Sequence, residues 1–188
     1  MRHRKRGRVL GRSPSHRRAL FRNLASAIFL TERDATDEPN APKMKGRIIT
    51  TLQKAKEIRP LVERCISVAK RALETAENAK QYATTAERNT DAWKEWRKGP
   101  QWQKWAQAMA PLVNARRRAL QLLGDKQAVR LLFSEVAPRF EDRPGGYTRI
   151  VRLAGVRLGD AGERAILEFV GVRDRVVQKS VAPSVEAK

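Results

Sequence analysis

Leu52, Ala55, Ile58, Val62, Ile66, Ala69 and Leu73 recur at three- and four-residue intervals, a period that an α-helix gathers onto one side. A helix with such a stripe must bury it against something, so this segment commits the chain to a packed domain. Thr51 is placed to cap its start, and residues 47–50 just before it suit a short strand. Pro60 falls inside the stripe. An interior proline loses a hydrogen bond and clashes with the preceding turn at a cost of roughly 3 kcal/mol, so a kink or break is predicted there.

The rest of the chain follows from similar local signals. Ser13-Pro14 reads as an N-cap followed by proline at the first helical position, and Leu20, Leu24 and Ile28, with Phe21 and Phe29 beside them, carry a first helix to about Leu30. Residues 32–45 hold the first acids, two prolines and no period, and read as a loop. Residues 112–123 suit a helix bearing Arg116, Arg117 and Arg118 and ended by Gly124. Asp125 then caps another, with Val129, Leu132, Phe133 and Val136 as its buried stripe and Pro138 as its stop. Two β-prone runs, 147–153 and 165–170, flank Gly159-Asp160-Ala161-Gly162 and predict an antiparallel hairpin. Helices dominate, with a small sheet. Residues from about 173 lack any period and read as a mobile tail.

Between the two strong helical patterns, residues 74–111 turn to Ala, Thr, Gln and charge and contain all four tryptophans. Trp93 with Trp96 and Trp102 with Trp105 form two i, i+3 pairs around Lys98-Gly99-Pro100. Aromatics at helical spacing usually bury themselves, which makes a helical hairpin stapled by its tryptophans the plainer reading. The sharper one is a stacking platform for unpaired bases or a docking site for a protein.

Charge narrows the partner. The 188 residues carry 40 Lys and Arg against 20 Asp and Glu, a net charge of +20, and the first 31 residues contain no acid at all. Such a chain gains free energy by neutralising phosphates, so nucleic acid leads and an anionic membrane surface follows. The run Arg2, His3, Arg4, Lys5, Arg6, Arg8 and Arg12, with Gly7 and Gly11 between, has no apolar period; it is predicted to be extended and to take its order from its partner. Charge runs also occur as solvated tails or import signals. This one leads without an acidic break into a capped helix whose Arg17, Arg18 and Arg22 continue the basic stripe, which a free tail would not need. His3 and His16, set among arginines, are poor metal ligands and suit hydrogen bonds to phosphate or base. No phosphate-binding glycine loop, nucleophile elbow, zinc-protease motif or dinucleotide fingerprint is present, so neither enzyme, cofactor, metal nor small-molecule substrate is expected. The single cysteine, Cys65, allows no internal disulfide and reads as a small apolar residue on the inward helix face. The apolar runs are too short to cross a bilayer, and a cytoplasmic location is expected.

Four separated segments, in order, make a more specific match. Met1-Arg2-His3-Arg4-Lys5 through Arg12, with Ser15-His16-Arg17 and Phe21-Arg22-Asn23, is the first. Ile48-Ile49-Thr50-Thr51-Leu52 followed by Lys54-Ala55-Lys56-Glu57 is the second; Pro138-Arg139-Phe140 and Arg143-x-Gly145-Gly146-Tyr147-Thr148-Arg149-Ile150 complete the set. Together they resemble the bacterial large-subunit ribosomal protein seventeen family over about residues 1–30, 46–73 and 112–172. The resemblance implies an α+β fold, two layers with helices on a small mixed sheet. A basic extended arm (1–12) precedes a single domain (13–172), interrupted by a loop insertion at 32–45 and a Trp-rich helical insertion at 74–111, and a tail follows (173–188). It implies a structural protein of the cytoplasmic ribosome that binds large-subunit ribosomal RNA near the peptide exit region, beside neighbouring ribosomal proteins. The RNA contacts it implies are the arm and the glycine-rich turn, Arg143, Gly145, Gly146, Tyr147 and Arg149, where Tyr147 either stacks on RNA or packs inward. From charge alone, a DNA-binding nucleoid protein is the alternative; the lack of a dimer seam or helix-turn-helix spacing disfavours it.

Overall fold

A computed structural model describes residues 7–35 and 38–171; residues 2–6 of the arm and the predicted tail lie outside them. The stripe that begins at Leu52 is buried. Helix α2 (Leu52–Ala79) sinks Leu52, Ala55, Ile58, Val62, Cys65, Ile66, Ala69 and Ala72 into the core. It packs against α1 (Pro14–Leu30), α4 (Pro100–Leu123) and the sheet. Thr51 stands at its N-cap, though its hydroxyl makes no capping bond. Of the kink or break expected at Pro60, the break does not occur: α2 runs unbroken to Ala79 through the proline. Ile58 and Val62 on either side of it are fully buried. At about 1.5–3 kcal/mol for each large apolar side chain taken from water, their burial outweighs the ~3 kcal/mol local cost of the proline.

Two other prolines also lie within helical structure. Residues 112–123 are only the second half of α4, which starts at Pro100 and runs through Pro111. Pro138 does not stop its helix either. The chain passes from α5 (Lys126–Leu131) through a π-helical turn (Leu132–Val136) into the short α6 (Ala137–Arg139). The wider turn carries the chain past a residue that has no N–H to give. Local capping signals are met as read: Ser13 accepts from the His16 N–H at 3.4 Å, Asp125 from the Ala128 N–H at 2.8 Å, and Gly124 ends α4 in the left-handed region at φ +78°.

Strands β1 (Arg47–Thr51), β2 (Thr148–Val156) and β3 (Glu163–Phe169) form a sheet in the order β1-β3-β2. The predicted hairpin is β2–β3, and β1 joins the other edge of β3 with Arg47 opposite Glu168 and Thr51 opposite Arg164. Both pairings are antiparallel, where a mixed sheet was expected. The inner face supplies Ala165, Leu167 and Phe169 to the core, while across the outer face Ile49, Ile166 and Val151 form one cross-strand row, with Ile49 and Val151 exposed. One covered and one open face is the usual condition of an antiparallel sheet.

Aromatic rings close the core where α1, α6 and the sheet meet. Phe169 lies 5.7 Å from Phe29 and 6.1 Å from Phe140, and Phe140 lies 5.2 Å from Tyr147, centroid to centroid. Cys65 sits in the same interior. Burial pushes its thiol from the ordinary 9.0 up to about 12, against a smaller downward pull from the Arg64 charge. The nucleophilic thiolate is therefore withheld. Alkylation of native protein by iodoacetamide is expected to stay slow from pH 7 to 9 and to become fast on adding denaturant; rapid labelling of the native form would contradict this burial. Because the folded value lies above the unfolded one, the thiol's contribution to stability is complete below pH 9 and is lost as pH rises towards 12.

Candidate nucleic-acid interface

Among the described residues, the cations predicted to meet RNA divide into those that already have an anionic partner in the fold and those that do not. Arg8 belongs to the first group: its Nη1 lies 2.5 Å from Glu57 Oε1 on α2, and the Gly7 N–H donates to Glu57 Oε2 at 3.2 Å. The end of the arm is thus fastened to the middle of the core helix. The stretch 7–12 also departs from the extended form expected, because Gly7, Leu10 and Gly11 all have positive φ and the Arg12 N–H donates back to Val9 O at 3.2 Å. Arg12 Nη1 donates to Leu10 O at 2.7 Å. Arg149 is paired too, its Nε 2.5 Å from Glu168 Oε1 across the sheet.

The second group lies on α1. This helix contains no acid, and among the described residues none of Arg17, Arg18 and Arg22 pairs with a carboxylate. Arg18 and Arg22 line a groove of about 680 Å³ between α1 and the α4–α5 junction, with Ser15, Asn23, Gly124 and Asp125. Asp125 is the one acid there, and its carboxylate already accepts the capping N–H of Ala128. His16 is exposed at the start of the helix. Unpaired guanidiniums beside hydroxyl and amide side chains are suited to phosphate oxygens, which accept two N–H bonds from one Arg.

The glycine-rich turn forms a separate patch. Gly146 has φ +64°, and a Cβ at either Gly145 or Gly146 would meet nothing within 4 Å, so at Gly146 it is backbone conformation rather than crowding that asks for glycine. Arg143 Nε donates to Gly145 O at 3.1 Å, and Lys70 Nζ on α2 donates to Arg143 O at 2.9 Å. Lys70 and Glu57 stand about 20 Å apart along α2 by helix rise, so the turn and the arm are fastened to the same helix at two distinct points. Tyr147 is only 4% exposed and packs on Phe140, which decides between its two expected roles in favour of packing.

The segment Pro138-Arg139-Phe140 is structural in the same way. Arg139 grips Glu32 with two parallel bonds of 3.0 Å, and these bonds hold its guanidinium pKa above the ordinary value. Glu32 is largely buried, so Glu32→Gln is expected to cost about 1–2 kcal/mol in urea denaturation; an unchanged midpoint would show that the clamp contributes nothing.

The tryptophans meet across α3 (Asp91–Lys98) and α4, not along either helix. Trp96 and Trp105 pack edge to face at 5.7 Å, and Trp96 Nε1–H donates to Tyr82 O at 3.2 Å. Arg97 lies over both Trp93, at 5.1 Å, and Trp102, at 5.9 Å. The first contact is the staple expected of a hairpin. The second is a partly exposed layer of two rings and a guanidinium.

The sequence reading missed Arg64, Arg71 and Arg118, which a furrow between α2 and α4 brings together. Arg64 and Arg71 share a seven-residue spacing and Arg118 stands in the run Arg116–Arg118, but only the packing of two helices brings the three together. Among the described residues no group of three or more His, Cys, Asp or Glu is placed to hold a metal, and no helix is long and apolar enough to cross a membrane.

Residues 20–170 match the family described as ribosomal protein L17. The chain is 65% identical over 186 residues to the large ribosomal subunit protein bL17 of Rhodopirellula baltica, covering 99% of this chain and 89% of that one. It is 37% identical over 188 residues to the bL17 of Nitratidesulfovibrio vulgaris, covering 100% and 98%. Against the bL17 of Desulfotalea psychrophila it is 35% identical over 176 residues, covering 94% and 95%. The match of most of the chain to the family, and these near full-length likenesses, establish that the chain belongs to the ribosomal protein L17 family.

Proposed function

We propose that this chain is a structural constituent of the large ribosomal subunit, that it binds large-subunit ribosomal RNA near the peptide exit region, and that it stabilises the RNA fold there without catalysing a reaction. The observation that carries the reading is the 65% identity, across 99% of the chain, to a protein named for the large ribosomal subunit. The unpaired cations of α1 support it from physics. Arg17, Arg18, Arg22 and His16, with the arm residues Arg2, His3, Arg4, Lys5, Arg6 and Arg12, form the principal RNA surface. Arg143, Gly145 and Gly146 form a second, where open backbone approaches the sugar-phosphate chain. Arg8, Arg149 and Tyr147 set the shape of these surfaces from within the protein. Neighbouring ribosomal proteins meet the Trp93–Arg97–Trp102 layer.

Mass spectrometry of sucrose-gradient fractions from native cells, washed at high salt, tests this reading. The expected result is one copy per large subunit, retained through the wash, with cross-links to proteins of the exit region. Loss in the wash, or migration with the chromosome, would overturn it and leave the nucleoid alternative.

A further inference from the structure

We propose that the furrow between α2 and α4 is an additional RNA-binding surface, continuous with the fastened end of the arm. It rests on the ribosomal RNA reading above and extends it to residues that no sequence motif marks. The furrow has a volume of about 640 Å³ and is lined by Arg64, Ser67 and Arg71 of α2 and by Pro111, Asn114 and Arg118 of α4. No lining residue is acidic. All three arginines are exposed, and among the described residues none is paired with a carboxylate. The nearest acids in sequence do not change this. Glu63 is turned to Arg59, at 3.2 Å, and to the Thr148 hydroxyl, at 2.9 Å, while Glu74, one helical turn beyond Arg71, makes no ion pair with it among the described residues.

The placement along α2 ties this surface to the arm. Glu57, which holds Gly7 and Arg8, is followed at seven-residue steps by Arg64 and Arg71. Seven residues fall about 20° short of two full helical turns, so the three side chains leave α2 along one stripe about 10.5 Å apart. A polyanion that follows the arm to its fastening at Glu57 therefore has two guanidiniums ahead of it on the same stripe and a third facing them from α4. Three like charges around one furrow repel one another until an anion enters. The remaining lining decides which anion. Ser67 and Asn114 offer a hydroxyl and an amide, and only small or aliphatic groups accompany them. This suits phosphate; a protein partner would be expected to find aromatic or large apolar anchors there.

The test compares the full-length protein with a variant carrying Arg64→Gln, Arg71→Gln and Arg118→Gln. A control with the same charge loss carries Arg88→Gln, Lys104→Gln and Arg130→Gln. Binding to protein-free large-subunit ribosomal RNA is measured against salt, with hydroxyl-radical footprinting of the RNA. At about 0.7–0.9 per neutralised phosphate, the furrow variant is expected to flatten the log–log salt dependence by about 2–3 and to lose a set of protected nucleotides that the control retains. In parallel, RNA is expected to shield Arg64, Arg71 and Arg118 of the unaltered protein from phenylglyoxal, a readout independent of how the variant folds. A furrow variant indistinguishable from the control, with these arginines still reactive in the complex, overturns the proposal while leaving the ribosomal reading intact. The same holds if the variant keeps its RNA binding and loses cross-links to a neighbouring protein. Failure of the unaltered protein to bind this RNA overturns both.

Discussion

Phe169→Ala is expected to cost about 3–5 kcal/mol of unfolding free energy, the range for deleting a buried aromatic side chain. The ring joins three parts of the molecule, because it meets Phe29 of α1 and Phe140 beyond α6 while standing on the central strand. Its backbone adds a fourth, with the Phe169 N–H donating to Gly46 O at 2.9 Å. A domain of this kind has about 5–15 kcal/mol in total, so the variant is expected to be partly unfolded at growth temperature. Phe169→Leu, which keeps much of the volume, is expected to retain most of the stability. Urea denaturation measures both, and a loss below 1 kcal/mol for the alanine variant would mean that the aromatic cluster does not join these elements.

Replacing Arg17, Arg18 and Arg22 together with Gln is expected to weaken binding to large-subunit ribosomal RNA by on the order of 100- to 1000-fold at moderate salt, given charge-assisted bonds of about 1.5–3 kcal/mol that are partly offset by desolvation. Stability is expected to change little, because none of the three is paired with a carboxylate among the described residues. The contrast is Arg8→Gln, which removes the bond to Glu57 and loosens the arm from α2 without taking away a free cation. Filter binding across a salt series separates the two. Equal losses for the α1 variant and for Arg8→Gln would contradict the division between paired and unpaired arginines.

That division marks the limit of what the sequence discloses. Ser13-Pro14 and Gly124-Asp125 were legible because capping is settled within four residues, and the helical stripe of α2 because its period is local. The continuity of α2 through Pro60 was not legible because the energy that holds it comes from distant partners: Ile58 and Val62 are held by a core that no local window contains. The all-antiparallel sheet was hidden for the same reason, since β1 finds its partner more than a hundred residues later. At the candidate site, counting charge identified the class of partner but not the individual contacts. Arg8, Arg18, Arg64 and Arg149 look alike in a sequence; Glu57 and Glu168 occupy two of them, and the fold leaves the other two open. Tyr147 sits in a motif the family resemblance tied to RNA, and only its ring against Phe140 shows that it belongs to the core.

The strand order β1-β3-β2 places in the middle of the sheet the strand that the ribosome making this chain adds last. Until residue 169 has emerged, β1 and β2 have no common neighbour, and the apolar faces of α1 and α2 lack the sheet that covers them. Pairing over so long a stretch of chain carries a large loop-closure entropy and closes slowly. A nascent copy is therefore highly cationic and only partly closed through most of its synthesis, exposed to aggregation with any polyanion nearby. Completion of the C-terminal hairpin is the step that turns an adhesive intermediate into a part ready for assembly.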